Sequence, residues 1–98
     1  MNQTYDLSCR YDARQNFYGK AKVEVYLGAT GGSVCLYSYG TLVAEVITEF
    51  NGKKIYKYLG KFSQTTTRHQ KEFFRQQDLS EKEIKELFKN GVLIKENN

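Results

Sequence analysis

The sequence predicts an α+β domain in which an antiparallel sheet of four to five strands is followed by two helices packed on one face. Apolar and polar residues alternate with a period of two through most of residues 1–60, which is typical of half-buried strands. From Thr65 the period becomes 3.6, which indicates amphipathic helices. The dipeptide Asn51-Gly52 adds a strong signal for a hairpin between two strands.

The length of the chain favours one domain. A chain of 98 residues buries roughly two-thirds of its unfolded surface, which is enough for one hydrophobic core. We expect a single domain over residues 1–98, with the sheet in residues 1–60, the helices in 61–90 and a tail in 91–98. With eight Tyr and six Phe but no Trp, much of the buried area is expected to be aromatic.

The first two strands are predicted at residues 4–12 and 20–27, joined as a hairpin by a polar turn at residues 13–16. Every second residue from Tyr5 to Tyr11 is apolar or aromatic, and the residues between them are polar. We therefore expect one face of the first strand to lie against the core along its whole length.

Two further strands are predicted at residues 34–39 and 42–50, separated at Gly40, and a fifth follows Asn51-Gly52. A type I′ turn at Asn51-Gly52 needs positive φ at both central positions, which these residues tolerate. A two-residue turn there would pair Thr48 with Ile55. The residues then expected to face the core are Leu42, Ala44, Val46, Ile55 and Leu59.

The first helix is predicted to begin near Thr65 and to cover the sheet with Phe73 and Phe74, which share one side of a helical wheel with Thr66, Gln70 and Gln77. The opposite side carries three cations at spacings of three and four residues: Arg68, Lys71 and Arg75.

A second helix is predicted between Ser80 and Gly91. Ser80 and Glu83 form a capping-box pattern at its start, and Gly91 is a typical C-terminal stop. Residues 92–94 are a candidate short edge strand.

The charge of the chain permits an anionic partner without specifying one. The net charge is +4, and residues 61–77 carry four Lys/Arg against one Asp/Glu, which makes them the most positive segment. Such a surface suits nucleic acid or an acidic protein surface, and many basic proteins bind neither.

The start of the sequence lacks the basic and apolar regions of a secretory signal, and no apolar run is long enough to span a bilayer. We expect a cytoplasmic protein in a bacterial host, with no membrane partner. Cys9 and Cys35 are then expected to be thiols, with a disulfide as the minority alternative.

Catalytic and metal-binding patterns are weak. A Cys-His pair using Cys9 or Cys35 with His69 is formally available, but no acidic residue is marked to orient the histidine, and we interpret His69 as a helix-flank residue. The glycines of residues 28–32 precede a strand, whereas a phosphate loop would open a helix. We expect no enzyme activity, no metal and no cofactor.

The start of the first helix has two interpretations that the sequence leaves open. Four hydroxyl residues, Ser63 and Thr65 to Thr67, precede Arg68, so the helix amides, the helix dipole and the guanidinium could converge on a phosphate. Ordinary N-capping by one of these hydroxyls is the alternative.

The predicted binding surface combines this helix start with the cations that follow it and with tyrosines expected to be exposed and able to stack on bases. A solvated helix face is the alternative. The candidate binding residues are Lys61, Ser63, Thr65, Thr66, Thr67, Arg68, Lys71, Arg75, Tyr56 and Tyr58.

Three segments together carry a resemblance: FYGKA at residues 17–21, LYSYGTLVA at 36–44 and TTTRHQKEF at 65–73. In these the chain resembles a family of small uncharacterised proteins from bacteriophages and mobile elements of Gram-positive bacteria. The resemblance implies a phage-type protein acting in the host cytoplasm, where small domains of this kind, such as anti-CRISPR proteins, block host machinery. The basic charge departs from the acidic DNA-mimic inhibitors, so blocking of a protein or ribonucleoprotein surface is expected instead.

The functional prediction is therefore a non-enzymatic binding protein that inhibits or modulates a host defence complex, such as a CRISPR nuclease, through a basic helix face. The alternative is a non-specific accessory protein that contacts the backbone of DNA or RNA. A small enzyme is the third and weakest hypothesis. Monomer and homodimer both remain open.

Overall fold

The fold of the chain is given by a computed structural model that describes residues 2–13, 16–29 and 31–96. Residues 14 and 15 of the predicted first turn, Thr30, Met1 and the last two residues of the tail lie outside the described residues. The strands are β1 (Asn2–Asp6), β2 (Ala21–Gly28), β3 (Gly31–Ser38), β4 (Thr41–Glu49), β5 (Lys54–Tyr58) and β6 (Val92–Lys95). The helices α1 (Gln64–Gln76) and α2 (Glu81–Asn90) lie between β5 and β6.

All the strands form one antiparallel sheet in which they lie side by side in chain order, from β1 to β6. The α+β class is confirmed. The predicted count of four to five strands is wrong, because the described residues form six. The additional strand is β6, the candidate edge strand, which follows α2 and pairs with β5.

Short turns set the register of the central strands. Gly28 pairs with Gly31 across the β2–β3 turn, and Ser38 pairs with Thr41 across the β3–β4 turn. The two residues of the second turn, Tyr39 and Gly40, have φ of 51° and 82°. Positive φ at both positions is what a type I′ hairpin turn requires, and a tyrosine occupies the first of them.

The register of the β4–β5 hairpin differs from the prediction by one residue. Thr48 pairs with Lys54 and Val46 pairs with Tyr56. The cause is the turn, in which Glu49 N–H donates to the Lys53 carbonyl at 2.9 Å, so that three residues rather than two are enclosed. Because side chains alternate across a strand, a shift of one residue exchanges the two faces of β5.

A bulge in β4 explains a second departure from simple alternation. Leu36 pairs with Ala44, but the next residue, Tyr37, pairs with Leu42, which leaves Val43 as an extra residue. Val43 and Ala44 are consequently both buried. The Val43 carbonyl accepts hydrogen bonds from the Leu59 amide at 3.2 Å and from Gln70 Nε2 at 2.9 Å, so the bulge is a point where α1 is fixed to the sheet.

The first strand ends at Asp6, and the Leu7 amide still donates to the Ala21 carbonyl of β2 at 2.9 Å. Residues 8–13 leave the sheet, so the predicted strand over 4–12 is wrong in its second half. Leu7 is buried, whereas Tyr5 and Tyr11 are exposed. The amides of residues 10–12 turn toward one acceptor on α1. Three successive amides cannot do so in a strand, where N–H groups alternate in direction.

The helices cover one face of the sheet as predicted. Phe73 and Phe74 are fully buried in the core, beside Leu36 and Val46. The predicted capping box at Ser80 and Glu83 is confirmed, and α2 ends at Gly91 with φ of 83°.

Among the described residues, neither helix has the length and apolar character needed to cross a membrane.

The register of β4–β5 generates a stability prediction. Tyr56 is 2% exposed and lies in the core, whereas Leu59, which a two-residue turn would place in the core, is 38% exposed. We expect Tyr56→Ala to lower the free energy of unfolding by about 3–5 kcal/mol and Leu59→Ala to lower it by about 1 kcal/mol or less. Urea denaturation of both variants measures this difference, and a larger loss for Leu59→Ala would contradict the register described here.

Candidate functional site

The hydroxyl residues at the start of α1 serve mostly as helix caps. Ser63 is the N-cap, and its Oγ accepts a hydrogen bond from the Thr66 amide at 3.1 Å. Thr67 Oγ1 donates to the Ser63 carbonyl at 3.0 Å, and Thr66 is buried. Of the two interpretations that the sequence left open, these contacts match ordinary N-capping, and the four hydroxyls do not share one surface. Thr65 is half-buried and lines a cleft described below.

A row of hydrogen bonds leads from this cap into the core and ends at His69. Ser63 Oγ donates to Thr66 Oγ1 at 3.2 Å, Thr66 Oγ1 lies 2.8 Å from Ser38 Oγ, and Ser38 Oγ lies 2.8 Å from His69 Nδ1. His69 is fully buried, so its interpretation as a helix-flank residue is wrong. It lies within a ring contact of Phe17, at a centroid distance of 4.5 Å.

The direction of these bonds indicates the tautomer of His69. Ser63 Oγ donates to Thr66 Oγ1, whereas either oxygen of the Thr66–Ser38 pair can donate and the role of His69 Nδ1 depends on the tautomer. If every hydroxyl in the row donates once toward His69, Nδ1 is the acceptor and Nε2 carries the proton, and this is the tautomer we expect. Nε2 is buried and has no hydrogen-bond partner among the described residues.

Burial lowers the pKa of His69 below its ordinary value near 6.5, and the carboxylate of Asp12 opposes this shift. The imidazole is therefore neutral at neutral pH. A buried neutral imidazole with a polar partner on one nitrogen is fixed in orientation. It does not act as a base that titrates near neutral pH.

Hydrogen bonds to the Glu72 carboxylate fix the segment of residues 7–13 against α1. Its Oε1 accepts hydrogen bonds from the amides of Arg10, Tyr11 and Asp12 at 3.0, 2.8 and 2.8 Å. Gln76 Nε2 donates to Glu72 Oε2 at 2.6 Å and to the Ser8 carbonyl at 2.7 Å. Glu72 is 2% exposed, and we call this arrangement the Glu72 clasp. Successive amides that converge on an anion form a nest, which offsets the burial of its charge.

The three cations predicted on the outer side of α1 are placed differently by this segment. Arg68 Nη1 lies 3.6 Å from Asp12 Oδ1, a loose ion pair. The Arg75 guanidinium lies 4.7 Å from the centre of the Tyr11 ring, which is a cation–π contact. Lys71 is exposed, as is Lys61, which precedes the helix. Lys61 and Lys71 are thus free to face solvent, whereas Arg75 is positioned by Tyr11 and Arg68 is loosely paired with Asp12.

The tyrosines proposed as exposed stacking residues are not exposed. Tyr56 is 2% exposed, and its hydroxyl points toward the Gln77 carbonyl at 3.4 Å. Tyr58 is half-buried and stacks on Phe88 of α2 at a centroid distance of 4.2 Å. Both are core residues because the β4–β5 register is shifted by one residue. Tyr18 and Tyr39, which the prediction did not include, are exposed instead.

Two clefts lie beside α1. The first, which we call the α1–α2 cleft, has a volume of about 410 Å³ and is lined by Tyr11, Asp12, Lys71, Arg75, Glu81 and Lys85, among others. The second, which we call the His69 cleft, has a volume of about 350 Å³ and lies at the start of α1 against the β3–β4 turn; it is lined by Tyr18, Lys20, Tyr39, Thr65, Arg68 and His69, among others. The predicted binding residues are therefore divided between two places.

Cys35 is not placed for nucleophilic catalysis with His69. Cys35 pairs with Glu45 across β3–β4 and lies on the sheet face opposite to Leu36 and the helices, whereas His69 lies on the helix side. Burial and the neighbouring Glu45 carboxylate raise the pKa of the Cys35 thiol to about 11, which opposes thiolate formation at neutral pH. No disulfide joins Cys35 to Cys9.

Within residues 2–13, 16–29 and 31–96, no three His, Cys, Asp or Glu side chains are grouped as metal ligands.

Comparison with known proteins identifies one family. The profile of DUF8033, described as a family of unknown function, matches residues 5–90. No curated protein and no solved structure matches the chain.

The buried state of His69 predicts how stability depends on pH. The unfolded chain gains a proton on this histidine below about pH 6.5, whereas the folded chain resists protonation. The free energy of unfolding should therefore be constant from about pH 8 to 7 and should fall toward pH 5, by up to about 1.4 kcal/mol per pH unit. Urea denaturation at each pH measures this slope.

His69 is the only histidine, so the slope between pH 7 and 5.5 should be absent in His69→Gln. A flat profile for the wild type, or the same slope in His69→Gln, would contradict the neutral buried imidazole.

Proposed function

Since the chain belongs to the DUF8033 family, whose function is unknown, we propose a function from its site: a non-enzymatic binding protein that docks on an acidic protein surface through the α1–α2 cleft. The observation that carries this proposal is the group of three cations, Lys71, Arg75 and Lys85, at one concave surface.

Preorganisation of the cleft supports binding. Arg75 is fixed over Tyr11, and Tyr11 is held by the Glu72 clasp. A cation that is already positioned loses less side-chain entropy when it pairs with a partner's carboxylate. Lys71 remains exposed beside it, so the pair presents one rigid and one adaptable positive charge.

The signs of the charges favour protein over nucleic acid. Asp12, Glu72 and Glu81 line the same cleft as the three cations, so positive and negative side chains are equal in number there. A nucleic-acid backbone presents closely spaced negative charges, which these carboxylates would repel. A protein surface can match an alternating pattern, and complementary patterns of this kind give specificity. The non-specific nucleic-acid accessory function is therefore the less favoured candidate.

For the partner, we propose a host protein or ribonucleoprotein complex, with a CRISPR nuclease as the defence complex to test. The support for this part is the resemblance of residues 17–77 to small phage proteins, together with a basic surface suited to stoichiometric blocking rather than DNA mimicry. The chain would act in the host cytoplasm by occupying a surface that the complex needs.

The proposal predicts the effect of reversing two charges. Lys71→Glu/Arg75→Glu should weaken binding by about tenfold or more, because both cations would become repulsive toward an acidic surface. The matched control is Lys82→Glu/Lys89→Glu, which makes the same change in net charge on exposed residues of α2 outside the cleft. Thermal unfolding checks that both variants fold.

The measurement has two parts. Phage plating on cells that carry a targeting CRISPR nuclease reports inhibition, and gel filtration with the purified nuclease complex reports binding. Wild type and control should restore plating and co-elute, and the cleft variant should do neither. Equal activity of the cleft variant would contradict the docking surface, and a salt-sensitive gel shift of DNA or RNA lost only in the cleft variant would favour the nucleic-acid function.

A further inference from the structure

The His69 cleft lies outside the proposed docking surface, and one of its lining residues has a buried ring nitrogen with no partner among the described residues. His69 is fully buried, its Nδ1 is occupied by Ser38, and Nε2 on the other edge of the ring has no hydrogen-bond partner among the described residues. Buried polar groups without a partner are rare in folded proteins, and each one calls for an explanation. His69 lines the cleft. Nε2 itself is closed off in the free protein, so a ligand in the cleft supplies the missing acceptor once the lining side chains shift to admit it.

The expected tautomer of His69 decides what kind of partner is missing. When each hydroxyl of the row from Ser63 donates toward His69, Nδ1 is an acceptor, so Nε2 carries the hydrogen and needs an acceptor atom. Burial also keeps the ring neutral by lowering its pKa. The cleft therefore offers a fixed N–H donor rather than a titrating base.

The charges around the cleft favour an anionic acceptor. Lys20 and Arg68 line it, and Asp12, which forms the loose ion pair with Arg68, lines the other cleft. The Arg68–Asp12 ion pair has a separation of 3.6 Å and involves one guanidinium nitrogen. Most of the five N–H donors of Arg68 are therefore available to another partner. The cleft also lies at the first turns of α1, where the helix dipole attracts negative charge. An N–H donor, two cations and a helix start together suit a phosphate group.

Two tyrosines at the mouth of the cleft add a surface for a flat ring. Tyr39 is 58% exposed and Tyr18 is 77% exposed, and both have positive φ, 51° and 54°, which is uncommon for residues other than glycine. Tyr39 lies 5.9 Å from the His69 ring, centre to centre. An exposed aromatic ring beside cations is the arrangement that proteins use to stack nucleobases.

We propose that the His69 cleft binds a nucleoside monophosphate or the equivalent terminal nucleotide of a larger ligand. The phosphate accepts from His69 Nε2 and pairs with Arg68 and Lys20, while the base stacks on Tyr39 or Tyr18. The cleft volume of about 350 Å³ falls within the range of small-molecule sites.

The first test is the tautomer of His69 in the free protein, which long-range ¹H–¹⁵N spectra report directly. We expect a protonated Nε2 and an unprotonated Nδ1 at pH 7.5. The opposite tautomer would make Nε2 an acceptor and would overturn the proposal before any ligand is added.

The second test is titration of the full chain with inorganic phosphate, adenosine and the four nucleoside 5′-monophosphates, followed by the same spectra and by calorimetry. We expect the Nε2–H resonance to shift downfield with phosphate and with monophosphates, and at least one monophosphate to bind about tenfold or more tightly than either phosphate or adenosine. Equal affinities for phosphate and monophosphate would overturn the nucleotide assignment, and no shift with any probe would overturn the site.

Variants separate the parts of the site without endangering the fold. Tyr39→Gly removes the ring at a backbone position that glycine favours, so it should weaken monophosphate binding and leave inorganic phosphate unchanged. Arg68→Gln should weaken both by about tenfold or more. Arg75→Gln, in the other cleft, is the matched control and should change neither. Loss of phosphate binding in Arg75→Gln with retention in Arg68→Gln would assign the anion to the α1–α2 cleft and contradict the proposal.

Discussion

The surface of this domain depends on one buried carboxylate. Glu72 lies on the side of α1 that packs inward, yet its charge is stabilised by three consecutive amides and by Gln76. Hydrogen bonds to a charged group contribute about 1.5–3 kcal/mol each, and removal of the acceptor would leave three amides to be satisfied again. The clasp therefore determines where residues 7–13 lie. Because Tyr11 and Asp12 are held there, Arg75 and Arg68 acquire their partners, and the α1–α2 cleft gains two of its lining residues.

Much of the fold could be predicted from the sequence because its determinants are local. Alternation placed Val23 and Leu36 in strands, the capping box at Ser80 placed α2, and the helical wheel placed Phe73 and Phe74 in the core. The faces of β5 could not be predicted, because they depend on whether the turn at Asn51-Gly52 encloses two or three residues. That choice is made by the Glu49–Lys53 pairing, and Asn-Gly is compatible with either length. Tyr56 was assigned to the surface for this reason alone.

The polar side of α1 shows the other limit of prediction from sequence. His69, Gln70 and Glu72 are all buried, and their partners are distant in the chain: Ser38 for His69, Val43 for Gln70 and residues 10–12 for Glu72. A helical wheel shows which residues share a side but cannot show a distant carbonyl freed by a bulge or a row of amides that turn toward a carboxylate. The sequence contained one signal of these buried polar residues. His69, Gln70 and Glu72 border the Phe73–Phe74 side of α1, and the first turn of that helix has no acidic residue.

The most direct test of this account is hydrogen exchange at the amides of Arg10, Tyr11 and Asp12, which an open loop would leave unprotected. If the Glu72 clasp holds this segment, these three amides should be slowed by about 10³-fold or more relative to an unstructured peptide. In Glu72→Gln they should lose protection, while the Leu36 amide in the central sheet keeps most of its own. Exchange of the three wild-type amides at the rate of an unstructured peptide would contradict the clasp and, with it, the placement of the α1–α2 cleft.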